Sequence, residues 1–452
     1  MKNKPKEPKQ ITIKCANIIF MLGILFSILL AFYAIYKFYN PTQSISRVFY
    51  IISMLSCCLL ATLFGFGLKR LSNNMKVNLS LLFFTTSIAV YGFETYLEFF
   101  QDSKREIFAK QMGVSFDTRK NIEVLENLKD TGVEVYLNVG PGQHLTENGV
   151  IYNFGGISNS TTIFDNKAGY YPVIETDEHG FNNPKGLYIE NKVDVVLTGD
   201  DFAEGKSVNS NESIGAVLRQ LDFNVISIGK TGNGPLIELA ALKEYAKFLK
   251  PKIVLWLYYV NDLNELSVEI ESSLLRKYLD ENDYSQNLIY RQEEIDSVLI
   301  NFQSQWEKIR MESEKKLKKL KIINTLKLAE LRRMINLQPT PISSPTPIFR
   351  DILQQSKQMV SGWDGKMYLV YLPAYKRYST DNEHPNRNFV IQTATELDIP
   401  IIDIHREVFK SYPDPLSLFP FKLPYRYNAE GYRLVAEAIG KRIEADGYVP
   451  IK

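Results

Sequence analysis

Three long uncharged stretches open this chain, and they constrain its fold more than any other feature. Cys15 to Tyr36 carries no charged residue, nor does Val48 to Leu68, nor Val77 to Phe93 before Glu94. Each approaches the roughly 20 apolar residues that a helix needs to cross hydrocarbon, the third being the shortest. A single such run could be a buried core helix. Three in succession, separated by short polar loops, predict a membrane unit. Two further spans follow the first run and no small-residue cleavage site ends it, so it does not read as a signal peptide.

The positive charges predict an orientation. Lys2, Lys4, Lys6, Lys9 and Lys14 precede the first span, and Lys69, Arg70 and Lys76 lie between the second and third. The loop between the first and second has only Lys37 and Arg47 at its edges. The positive-inside rule then expects the N-terminus in the cytoplasm of an inner (cytoplasmic) membrane and everything beyond about residue 100 in the extracytoplasmic or periplasmic space. Cys15, Cys57 and Cys58 are the chain's three cysteines and all fall in the spans, so the exported part holds no thiol for a disulfide. Lys and Arg number 53 against 51 Asp and Glu, a net +2, which gives no electrostatic case for a nucleic-acid partner. With 45% hydrophobic and 23% charged residues, the chain is also not of disordered composition.

The remainder divides by pattern. Residues 101–130 are mixed and charged, which suggests helix. Gly132 to Leu187 alternates short runs such as Val133–Val139 and Tyr170–Glu175 with Gly and Asn, a pattern of short strands and turns. His179 lies there among acids in Asp177-Glu178-His179-Gly180-Phe181, where a turn residue is expected rather than a metal ligand. From Lys192 onward, apolar runs at Val193–Thr198, Val225–Ile228, Ile253–Tyr259, Met367–Leu372 and Ile399–Ile404 alternate with helical patterns such as Ile214, Val217, Leu218 and Leu221. Strands alternating with amphipathic helices predict a parallel sheet covered on both faces. The expected organisation is a cytoplasmic tail over 1–14, a three-helix membrane region over 15–100, a linker and β-rich connector over 101–189, and an α/β domain over 190–452 with a helical insertion at 264–347.

In open parallel sheets, sites form at the carboxyl ends of the strands. Gly199-Asp200-Asp201 follows the first strand, Gly229-Lys230-Thr231-Gly232 the second and Val260-Asn261-Asp262 the third; Arg426-Tyr427-Asn428 precedes the last helix. In this order the four blocks resemble the SGNH (GDSL-type) hydrolase family of esterases, lipases and carbohydrate O-acetyl esterases or transferases. The resemblance implies a flavodoxin-like fold over residues 190–452, apart from the insertion. It implies that Gly232 and Asn261 stand where the family places its oxyanion donors, with Asp200 and Lys230 beside the pocket. With three spans added, the chain looks like membrane-anchored members that act on envelope polysaccharide.

The departures fall on the catalytic positions. The family's nucleophilic Ser is Asp201, its catalytic His is Arg426, and the positions of its acid are Pro424 and Leu423. The Gly that usually stands two positions before the block-three Asn is Tyr259. Acyl transfer needs a nucleophile and a base that takes its proton, and arginine cannot serve as that base. The chain has four histidines, His144, His179, His384 and His405, none of them at a family catalytic position. Ser207 lies six positions beyond Asp201, too far along to replace the nucleophile directly. Because family Ser and His side chains touch, Asp201 and Arg426 are expected to form an ion pair that closes or repurposes the pocket, with Lys230 as a second cation. The reading is a catalytically degenerate, membrane-anchored module for envelope polysaccharide or lipid, with an acylated polysaccharide or glycolipid as ligand. The alternative is an active esterase, O-acetyl hydrolase or transferase that uses Asp201 itself. No cofactor and no metal are expected.

Within the insertion, Ile295, Val298, Leu299, Phe302, Trp306 and Ile309 recur at helical spacing, and Lys315, Lys316, Lys318, Lys319 and Lys321 cluster after them. This predicts a helical hairpin packed on the domain with solvated lysines, or else a basic surface for anionic glycans or lipid headgroups. Pro339, Pro341, Pro345 and Pro347 then predict an extended return.

Overall fold

The computed structural model describes residues 8–39, 47–99, 103–334 and 346–449. Lys2, Lys4, Lys6 and the prolines at 339, 341 and 345 lie outside the described residues, as do the side chains at 306–318. The chain forms two compact units, Met1–Gln101 with Met311–Ile342, and Asp102–Arg310 with Ser343–Lys452.

The first unit is built on α1 (Gln10–Tyr39), α2 (Arg47–Arg70) and α3 (Asn73–Phe99). All three are long and apolar enough to cross a membrane. α1 and α2 approach closely through small residues. A Cβ added at Gly67 would lie 2.4 Å from the Phe20 ring, and one at Gly23 would lie 2.9 Å from the Phe64 ring. Small residues at such crossings let helices pack by van der Waals contact where lipid supplies no hydrophobic drive.

α3 runs past Glu94, where the uncharged stretch ends. The Glu94 carboxylate accepts the backbone N–H of Glu330 at 2.8 Å and of Leu331 at 2.9 Å, and its side chain is fully buried. A carboxylate on the unpaired N–H groups of a helix start satisfies both partners, which explains how an acid is accommodated in this helix.

The second unit starts with α4 (Lys104–Met112) and α5 (Asn121–Asp130). Five short strands follow: β1 (Val135–Leu137), β2 (Gly142–Thr146), β3 (Gly149–Asn153), β4 (Thr161–Ile163) and β5 (Val173–Glu175). β2 and β3 form a hairpin; β4 pairs parallel with β1 and antiparallel with β5.

Next come β6 (Val195–Gly199), α6 (Asp201–Glu204), α7 (Ile214–Gln220), β7 (Val225–Ser227), α8 (Pro235–Ala241) and β8 (Ile253–Tyr258). The insertion contributes α9 (Asp262–Glu269), α10 (Ser273–Asp280), α11 (Gln292–Leu326) and α12 (Ala329–Met334). The chain then continues through α13 (Pro347–Ser361), β9 (Lys366–Tyr371), α14 (Lys376–Ser379), α15 (Arg387–Glu396), β10 (Ile401–Asp403) and α16 (Ala429–Ala445). The main sheet is parallel throughout, in the order β10-β9-β8-β6-β7. Counted from β6, this is the flavodoxin-like 2-1-3-4-5 arrangement.

The strands read as continuous apolar runs because both faces are covered. Val254, Trp256 and Tyr258 of β8 enter one core, while Ile253, Leu255 and Leu257 enter the other. β9 alternates in the same way, with Met367, Leu369 and Tyr371 on one side and Tyr368 and Val370 on the other. This is the two-residue period of a strand. The insertion departs from the expected hairpin. Ile295 and Leu299 at the start of α11 are buried in the α/β core, but Met311–Ile342 groups with the N-terminal helices. The Glu94 cap on α12 supplies a physical reason.

The connector is tied to the sheet by the Asp177 turn. Asp177 is fully buried and accepts the N–H groups of His179 (2.8 Å) and Phe181 (2.9 Å), the Asn183 amide (2.8 Å) and the Tyr188 hydroxyl (3.1 Å). Asn183 in turn bonds both the N–H and the carbonyl of Ser227 at 2.8 Å, at the end of β7. His179 packs edge-on to Tyr188, with ring centroids 4.6 Å apart, consistent with a structural turn residue. Replacing Asp177→Ala strands buried donors, at about 1–3 kcal/mol for each one left unpaired. The melting temperature of the full chain in detergent should fall by roughly 2–4 °C per kcal/mol; an unchanged melting curve would show that this turn does not anchor the connector.

Candidate functional site

The four blocks converge at the carboxyl end of β6. Gly199 ends the strand at φ 151°. A side chain there would be strained in backbone and crowded by Leu257, whose Cβ and carbonyl oxygen lie 3.0 Å from an added Cβ. The chain then turns into α6, and the Asp200 carboxylate caps it by accepting the N–H of Phe202 at 3.1 Å. Asp201 is thereby placed on the first turn. Asp200 is 1% exposed and Asp201 6%.

Arg426, just before α16, reaches both acids. Its Nε donates to Asp201 Oδ2 at 2.9 Å and a terminal nitrogen donates to Asp200 Oδ2 at 3.0 Å. The sequence predicts a pair with Asp201; the structure divides the fork between two adjacent carboxylates. The guanidinium also lies over the rings of Tyr259, 4.5 Å from the centroid, and Phe202 at 5.1 Å. Flat stacking of this kind suits arginine and not lysine. Tyr259 was visible in the sequence only as a missing Gly. Its contact with Arg426 gives that departure a function, and the signal was the coincidence of two departures in one site.

Burial opposes the Arg426 charge, but Asp200 and Asp201 outweigh it and hold the guanidinium well above its ordinary pKa. Burial raises the Asp200 carboxyl to about 6, while Arg426 pulls it down and Asp201 pushes it up.

Lys230 is not the second cation at Asp201. Its Nζ lies 2.8 Å from Glu204, with both side chains almost fully buried, and it donates to Asn138 Oδ1 at 2.7 Å. Glu204 also accepts the Thr231 N–H at 2.9 Å and the Thr231 hydroxyl. This pair therefore binds the end of α6, the loop after β7 and the connector together. The cation nearest Asp201 after Arg426 is Lys206, at 4.0 Å. Proximity along the chain placed Lys230 near the site but could not give its direction.

Gly232 sits exposed at φ 91°, a conformation that favours glycine. The Asn261 amide donates to Glu265 at 2.7 Å and to Asp200 at 3.4 Å. Its donors are thus engaged by carboxylates. Among the histidines, His405 bonds the Tyr378 hydroxyl at 3.0 Å through Nδ1, His384 accepts a backbone N–H in its own loop, and His144 pairs with Asn153 at 3.0 Å. Ser207 is held in the left-handed region at φ 76°, and its buried Oγ has no partner among the described residues.

No family model matches the chain, and no curated protein matches it. Solved structures do. A G-D-S-L family lipolytic protein from Desulfitobacterium hafniense is 15% identical, with TM-score 0.32, covering 55% of this chain and 98% of its own. A lipase/acylhydrolase from Enterococcus faecalis is 13% identical, with TM-score 0.34, covering 57% and 99%. A two-domain esterase active on acetylated mannans is 11% identical, with TM-score 0.32, covering 57% and 52%. The fold is established by the strand order. The chemistry must be argued from the chain's own side chains.

A buried pair broken on one side costs about 3–5 kcal/mol, because the remaining charge is stranded. Lys230→Met should show this loss in thermal unfolding, and Lys230→Met with Glu204→Gln should regain most of it. Equal losses in the single and double variants would mean that charge pairing is not what holds this junction.

Proposed function

We propose that this chain is a membrane-anchored SGNH-type module whose site is catalytically degenerate, and that it binds an acylated polysaccharide or glycolipid in cell-envelope handling. The observation that carries the proposal is the Arg426 fork on Asp200 and Asp201. A guanidinium so held occupies the place where a base would have to stand, and it cannot accept a proton. Asp201, at the nucleophile position, points a carboxylate oxygen at that guanidinium rather than at a free approach path. The ring faces of Tyr259 and Phe202 complete the enclosure.

Several features support a ligand of this kind. The blocks resemble those of esterases that act on acylated carbohydrates, and one similar structure is described as active on acetylated mannans. Three helices able to cross a membrane would hold the domain at an envelope surface, and the lysine distribution favours the extracytoplasmic side.

The test uses the full chain in detergent with p-nitrophenyl acetate and an acetylated polysaccharide. Wild-type protein is expected to release acetate at the buffer rate while retaining affinity for the polysaccharide. An Asp201→Ser, Arg426→His double variant asks whether the scaffold can host hydrolysis again. Wild-type turnover that disappears in Asp201→Asn would overturn the degenerate reading in favour of an aspartate-based hydrolase. Arg426→Ala, by stranding Asp200, should destabilise the fold by about 3–5 kcal/mol.

A further inference from the structure

Beside the ion pair lies a group of acids of which the reading above uses only Asp200. One carboxylate oxygen each from Asp200, Asp262 and Glu265 lie within 4.8 Å of one another. Asp200 ends β6, and the other two stand one turn apart on α9. Asp262 is fully buried and Glu265 is partly open to solvent.

A second observation comes from a different element. Glu238 on α8 is fully buried, and neither of its carboxylate oxygens has a hydrogen-bond partner among the described residues. After burial, the influence acting most strongly on it is the charge of Asp200, and the charge acting most strongly on Asp262 is that of Glu238. α8, which carries Glu238, packs against α9 and β6, the elements that present the cluster. Asp262 Oδ1, Glu265 Oε2, Asn261 Oδ1 and the Tyr258 hydroxyl are likewise buried without partners, and Tyr258 feels Asp262 and Glu238 among its neighbours. Glu269 differs, since its two oxygens accept the N–H groups of Gly234 at 2.6 Å and Leu236 at 2.9 Å.

The result is a nest in which several oxygens stay unpaired, although Arg426, the Phe202 N–H and Asn261 serve Asp200, Asn261 serves Glu265 and the Tyr259 N–H serves Asp262. Such orphans are costly and rare in folded proteins. A proton shared between two carboxylates satisfies only one pair of oxygens at a time. A hard cation would satisfy several at once. Calcium takes six to eight oxygen ligands at about 2.3–2.6 Å, so ligands on opposite sides stand up to about 5 Å apart, whereas magnesium demands about 2.0–2.1 Å. A buried set of protein oxygens suits calcium, since magnesium dehydrates reluctantly and keeps several waters.

We propose that Asp200, Asp262 and Glu265, with Glu238 behind them, hold a calcium-sized divalent cation. This departs from the expectation that the chain binds no metal. The ion would neutralise acids that Arg426 does not reach and would brace α8 and α9 against the end of β6. The site shares Asp200 with the ion pair, yet it does not rest on the non-catalytic reading: ester turnover tests one and calcium titration the other.

The experiment takes the full chain in detergent, stripped with EDTA, and titrates CaCl2 by calorimetry alongside thermal unfolding. One calcium per chain is expected, with a rise in melting temperature as binding selects the folded state. Glu265→Gln and Glu238→Gln should each weaken binding about tenfold or more, because affinity follows ligand charge. Glu126→Gln, on the exposed face of α5, should leave it unchanged. If the variants fail to fold, terbium emission sensitised through Tyr258 decides the matter: wild-type emission that calcium displaces and Tyr258→Phe diminishes supports the site. No saturable binding, binding at full strength in both glutamine variants, or no sensitised emission overturns it.

Discussion

A carboxylate removed from water must find a cation, a set of donors or a proton, and the α/β domain is organised around that requirement. Its sheet end gathers Asp200, Asp201, Glu204, Glu238, Asp262, Glu265 and Glu269 from the end of β6 and from α6, α8 and α9. Each is handled differently. Asp201 and Asp200 share Arg426, Glu204 takes Lys230, and Glu269 caps the start of α8. The positions of α6, α8, α9 and the loop after β7 depend on these pairings as much as on the apolar cores beneath them.

The substitutions at the resembled catalytic positions behave as one unit rather than as separate losses. Arg426 needs carboxylates to be buried at all, and it finds Asp200 and Asp201. It also needs a flat surface, which Tyr259 and Phe202 provide. Truncating any one of these leaves the others poorly accommodated. Buried ion pairs add little net stability over apolar packing, and their better-attested role is to specify one arrangement. Here the arrangement specified is Arg426 held across Asp200 and Asp201.

The parallel sheet was legible in the sequence because strands buried on both faces must be apolar throughout, as Val195–Gly199 and Ile253–Tyr258 are. The partnership of Asp201 with Arg426 was legible through the resemblance, in which the side chains at those two positions touch. Its extension to Asp200 was not, since a guanidinium fork can address one carboxylate or two without any change in sequence. Lys230 was misjudged because position in a loop does not say which way a long side chain runs. Glu238 and Glu265 were overlooked because an acid on a helix ordinarily reads as solvated, and only the burial of every residue of α8 reveals otherwise.

The Glu94 cap on α12 bears on how the protein can be handled. Glu94 belongs to an apolar helix, while the N–H groups it accepts belong to residues more than two hundred positions later. A soluble fragment cut after the third helix would keep α12 but lose the acid that terminates it. It would also lose the N-terminal helices with which the described part of Met311–Ile342 groups. The helices at the start of the chain are therefore part of a folding unit with the insertion and not an interchangeable tether; exchanging them for another anchor would remove structure as well as location.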